Sequence, residues 1–89
     1  MTLRTCLIRN RLGLHARAAS KLVQVAQEFS GQITLRLGDK TANAKSIMSV
    51  LMLQASKGTE IELETEGPEA EAAADAISNL IADRFGEDE

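Results

Sequence analysis

The sequence predicts an α+β fold, an antiparallel sheet with helices on one face and water on the other. Two patterns carry this reading. Hydrophobic periodicity switches between two and 3.6 residues to give the order β-α-β-β-α-β-α. Each strand segment also has a single apolar face. Length sets the scale: 89 residues make one domain spanning 1–89. A chain this short buries only a little over ~60% of the surface its unfolded form exposes.

The elements follow in order. Leu3–Arg9 reads as a strand and Asn10–Leu14 as a loop containing Gly13. Gly13 is expected to allow unusual backbone angles and a close approach to the neighbouring histidine. A helix runs from Ala16 to about Phe29, with Ala19, Leu22, Val23, Ala26 and Phe29 on one face. Ser30-Gly31 ends it. Ile33, Leu35 and Leu37 alternate with Thr34 and Arg36, Gly38-Asp39 turns, and Lys40–Asn43 returns as a hairpin. Ser46 is a good N-cap for a short helix to about Gln54. Glu60–Thr65 sets Ile61, Leu63 and Thr65 against a glutamate face. Pro68 falls in the first turn of a last helix lined by Ala70, Ala73, Ala74, Ile77, Leu80 and Ile81. Residues 86–89 read as an acidic tail, frayed from Glu87 onward.

Composition excludes several classes. Phe29 and Phe85 are the only aromatic residues, so the strands have nothing on which to stack RNA bases. One histidine and one cysteine, Cys6 in an apolar run, make neither a zinc site nor an internal disulfide; no cofactor is expected. No stretch has the roughly 18 apolar residues of a membrane span, and no signal-peptide apolar region opens the chain. The expectation is a soluble, cytoplasmic monomer. Net charge is −3, but residues 1–45 hold eight Lys/Arg against two Asp/Glu and residues 46–89 hold two against eleven. Solvated surface and a positive patch around the histidine for an acidic partner are equal readings of this split.

His15 lies in Gly13-Leu14-His15-Ala16-Arg17, where an extended segment becomes a helix. A helix start presents unpaired N–H groups, here of Ala16, Arg17 and Ala18, and the positive end of the helix dipole. Arg17 adds a permanent charge. Neutral imidazole is nucleophilic, so the group can carry an anion such as phosphoryl. A hydrolytic triad fits poorly, because no Gly-x-Ser-x-Gly elbow exists. The Ser46 helix offers a second feature. Val50 and Leu53 share one face, whereas Ile47, Met48 and Leu51 share another that suits partner docking. A deeply buried helix is the competing reading.

The run Asn10-Arg11-Leu12-Gly13-Leu14-His15-Ala16-Arg17, with Asn43-Ala44-Lys45-Ser46-Ile47-Met48 about thirty residues on, resembles the HPr family. These are histidine-containing phosphocarriers of the bacterial phosphoenolpyruvate-dependent phosphotransferase system. The resemblance covers roughly Leu3 to Phe85. It implies an open-faced β-sandwich with a four-stranded antiparallel sheet and three helices on one face. It implies that His15 takes a phosphoryl group on Nδ1 from phosphorylated enzyme I and passes it to a histidine of an EIIA protein. Arg17 and main-chain N–H groups would hold that group, and Ser46 would be the target of an HPr kinase/phosphorylase. Ile47, Met48 and Leu51 would form the docking surface. Such a chain is a phosphoryl carrier rather than an autonomous enzyme. Two positions depart from the pattern: Ala18 replaces the usual proline, and Ser49 stands where glycine is common. Leu51–Gly58, Gly67-Pro68 and the acidic end look closer to NPr, the nitrogen-branch paralogue, whereas Lys45-Ser46 looks like general HPr. A regulatory binding domain that acts without phosphotransfer is the alternative.

Overall fold

Strand alternation and two helical stripes produce one shared core in the computed structural model, which describes residues 1–88. The elements are β1 (Thr2–Leu7), α1 (Ala16–Ala26), β2 (Ile33–Leu37), β3 (Lys40–Asn43), α2 (Ile47–Met52), β4 (Glu60–Thr65) and α3 (Ala70–Ala82), followed by a closing turn at Arg84–Gly86. The four strands form an antiparallel sheet in the order β1-β4-β2-β3. β4 is therefore central, with Ile61 opposite Cys6 and Leu63 opposite both Arg4 and Leu35.

One sheet face buries Cys6, Ile33, Leu35, Ala42, Ile61, Leu63 and Thr65 beneath the helices. The other carries exposed Glu60 and Glu62, and Arg36 donates to the Glu64 carboxylate there. A strand with period-two alternation can send its apolar set to only one side, which fixes this register. Thr65 is the one polar intruder. Its hydroxyl donates to the Ala70 carbonyl at 2.6 Å, which removes the cost of burying it.

α1 buries Ala18, Ala19, Leu22, Val23 and Ala26. α3 buries Ala70, Ala73, Ala74, Ile77 and Ile81. Full burial of each larger aliphatic side chain contributes roughly 1.5–3 kcal/mol. The alanines let the helices approach the sheet and each other closely.

Several boundaries differ from the sequence reading. α1 ends at Ala26, and Glu28 and Phe29 follow in tight i→i−3 bonds to Val25 and Ala26. Pro68 lies in a turn ahead of α3, whose N-cap is Glu69. The Glu69 carboxylate accepts from the N–H and hydroxyl of Ser30 at 2.8 and 3.0 Å. That bond ties the α3 entrance to the end of α1 instead of capping its own helix. α2 runs only from Ile47 to Met52. The frayed tail is corrected as well: Phe85 is fully buried and Glu87 is hydrogen-bonded. Of that expected tail, Glu89 lies outside the described residues.

Candidate functional site

His15 is the N-cap of α1, with φ −76° and ψ 178°. The first bond of the helix runs from the Ala19 N–H to the His15 carbonyl at 2.8 Å. The N–H groups of Ala16, Arg17 and Ala18 precede it and have no backbone acceptor among the described residues. These are the three donors that the sequence assigned to an anion. Ala18 is buried, whereas Ala16 and Arg17 are exposed. Arg17 makes no ion pair among the described residues. It lines an open cleft of about 490 Å³ together with Arg11, Leu12, His15, Ala16, Glu87 and Asp88.

The loop before His15 is held from beneath. Gly13 has φ +66°, and a Cβ there would lie 2.5 Å from the Ala55 carbonyl oxygen and 2.9 Å from Ser56 Cα. The neighbouring Leu14 N–H donates to the same Ala55 carbonyl at 2.9 Å. Gly13 is therefore needed where the loop lies on the Ala55-Ser56 backbone, and not for an approach to the histidine as the sequence suggested. Leu14 then points into the core, buried, and its neighbour His15 faces the cleft, half-buried.

Two residues at this site were given no role there by the sequence, which read Asn10 as loop and Glu87 as frayed tail. The Glu87 carboxylate meets His15 Nε2 at 2.5 Å through Oε2. Its other oxygen, Oε1, accepts from Asn10 Nδ2 at 3.1 Å. Asn10 is fully buried, and its Nδ2 also donates to the Gly13 carbonyl at 2.7 Å. Burial pushes the Glu87 carboxyl up, but hydrogen bonds from His15 and Asn10, with the charges of His15 and Lys21, outweigh that and leave it below its ordinary value. The signal for Glu87 was Phe85, an aromatic anchor two residues ahead of it. The charge split along the chain also folds back on itself. Glu87 reaches His15, and Asp75 meets Arg4 at 2.8 Å, so the surface at the histidine is of mixed sign.

α2 lies nearby, after β3. The Ser46 hydroxyl accepts from the Ser49 N–H at 3.4 Å, so Ser46 is its N-cap as expected. Val50 and Leu53 are buried. Ile47 and Met48 are 42% and 71% exposed, which excludes the deeply buried helix. Leu51, expected beside them, is half-buried and packs against the core. Met52, 71% exposed, takes its place on the outer surface. A helix of six residues seated on β3 and α1 turns Leu51 toward its support and Met52 toward solvent.

The family model for the PTS HPr component phosphorylation site matches residues 3–83. The phosphocarrier protein HPr of Cupriavidus necator is 48% identical over 89 residues, all of both chains. The phosphocarrier protein NPr of Shewanella violacea is 47% identical over 78 residues, 88% of this chain and 86% of its own. Among solved structures, HPr-C-His from Thermoanaerobacter tengcongensis superposes with a TM-score of 0.96 at 43% identity, covering 100% of each chain. An HPr dimer from the same organism matches with a TM-score of 0.79 at 44% identity, over 98% of this chain and 100% of its own. A histidine on a helix start, in this sheet order and with these relatives, has one family behind it: the chain belongs to the HPr phosphocarriers of the phosphotransferase system.

Proposed function

We propose that this chain accepts a phosphoryl group from phosphorylated enzyme I on His15 Nδ1 and passes it to a histidine of an EIIA protein. The observation that carries this reading is the imidazole at the N-cap of α1 beside three N–H groups without backbone acceptors among the described residues. Those donors and the helix dipole stabilise a dianionic group at no reorganisation cost. Arg17 adds a full positive charge at the cleft wall. The chain works in the cytoplasm, as a monomer, and carries phosphoryl rather than turning over a substrate of its own. Ile47, Met48 and Leu51, extended by Met52, form the surface on which enzyme I and EIIA proteins dock. Ser46 serves as a regulatory phosphorylation site for an HPr kinase/phosphorylase.

Incubation with enzyme I, phosphoenolpyruvate and Mg²⁺, followed by intact mass, tests the core of this reading. One acid-labile, base-stable phosphoryl group is expected, and His15→Ala abolishes it while keeping the fold. An unlabelled wild-type chain would favour a regulatory domain that acts by contact alone.

A further inference from the structure

Glu87 reaches His15 by an unusual backbone route. Arg84 and Phe85 have φ of 56° and 55°, and Gly86 has φ of 76°. Consecutive left-handed residues with side chains are costly, and they persist only where the surroundings over-determine them. Here the buried Phe85 ring anchors the turn, and Lys21 Nζ donates to the Phe85 carbonyl at 2.6 Å. The turn delivers the Glu87 carboxylate between two donors, His15 Nε2 at 2.5 Å and Asn10 Nδ2 at 3.1 Å. The Glu87 side chain is only 15% exposed and that of His15 only 27%.

A carboxylate only accepts hydrogen bonds, so the nitrogen it meets must carry the proton. Nε2 is therefore the N–H of the ring, and the lone pair of neutral imidazole falls on Nδ1. We propose that Glu87 is a positioning residue for phosphoryl transfer: it blocks Nε2, directs the incoming group to Nδ1, and balances the charge the ring acquires. The inference rests on reading His15 as the acceptor. As the Nδ1 lone pair bonds to phosphorus, the bond from phosphorus to the donor breaks and its electron pair leaves with the donor. The ring becomes cationic, and its Nε2–H faces a carboxylate rather than water. In the reverse step the P–Nδ1 pair returns to Nδ1, and neutral imidazole leaves with its Nε2 proton still in place. A carboxylate behind a histidine plays the same part in hydrolytic triads.

Asn10 completes the arrangement. The two hydrogens of its amide serve the Gly13 carbonyl and Glu87. The loop that carries His15 and the carboxylate that orients it are thereby held by one buried side chain.

The test uses phosphoramidate, which phosphorylates imidazole without a partner protein and releases ammonia. ³¹P NMR then distinguishes Nδ1- from Nε2-phosphohistidine. Wild type is expected to give the Nδ1 isomer alone. Glu87→Ala is expected to give a mixture with the Nε2 isomer and to slow Nδ1 labelling by about 10- to 100-fold, the effect of losing one hydrogen bond to a charged group. Glu87→Gln keeps the Nδ1 isomer, because its amide oxygen still accepts from Nε2–H, but is slowed for want of charge. A merely structural role would leave the isomer ratio unchanged. Glu87→Ala that folds and labels only at Nδ1 at the wild-type rate overturns the proposal. Should Glu87→Ala fail to fold by circular dichroism, Glu87→Gln decides: a slowed rate supports the charge role, and the wild-type rate overturns it. A wild-type chain that phosphoramidate does not label overturns the acceptor reading of His15 itself. A chain that phosphoramidate labels but enzyme I does not overturns only the choice of donor.

Discussion

Opposite charges share the cleft with the imidazole. Arg17 lines it from α1, and Glu87 touches the ring at Nε2. In the proposed transfer they act at different moments: the arginine on the anion that arrives, the carboxylate on the cation that forms. Arg17→Ala is expected to fold with a melting temperature close to wild type, because an exposed side chain without an ion pair contributes little to stability. Its phosphotransfer from enzyme I should slow by about tenfold or more, the loss of one charge-assisted contact. Rapid-quench rates beside thermal melts check this, and a wild-type rate would remove Arg17 from the site. His15 and Arg17 were legible in the sequence because their positions depend only on the local switch from extended chain to helix. Asn10 and Glu87 were not. They meet across a sequence separation of 77, and no local pattern encodes that.

At the scale of elements, periodicity exposed nearly everything. The strand faces and both long helices were readable because burial repeats every two or 3.6 residues. α2 was harder. Its six residues are too few for a stripe, so the sequence placed Leu51 rather than Met52 on the outer surface. Two substitutions separate its roles. Met48→Asp should leave the melting temperature almost unchanged, since Met48 is exposed, while weakening enzyme I binding in a titration calorimeter. A large stability loss would identify Met48 as core. Ser46→Asp replaces one good N-cap by another and adds charge at a helix start, a gain of roughly 0.3–1 kcal/mol. The same charge lies one residue from Ile47 and should slow phosphorylation of His15 by desolvation and repulsion. Initial rates at two salt concentrations divide those causes, because repulsion fades with salt and lost packing does not. No slowing at either concentration would leave Ser46 a cap only.

On the scale of the whole molecule, the carboxylate that orients the histidine is also a stability element. Glu87 is held below its ordinary value in the folded chain, so its contribution is present above the unfolded value and is lost as pH falls through the folded one. Urea midpoints of wild type should therefore drop more steeply than those of Glu87→Gln as pH is lowered from 6 toward 3. Parallel profiles would show that the contact contributes nothing to folding. The position of Glu87 has a kinetic consequence too. Its partners Asn10 and His15 lie in the first fifth of the chain, and the hydrogen bond with His15 joins residues 72 apart in sequence. Contacts of such long sequence separation pay their loop-closure entropy before they return anything. Until the C-terminal turn has docked, His15 lacks the carboxylate and either ring nitrogen can bear the proton. Under the proposed chemistry, selectivity for Nδ1 is thus tied to a contact that closes only when the two ends of the chain have met, so the phosphoryl isomer reports whether the fold is complete.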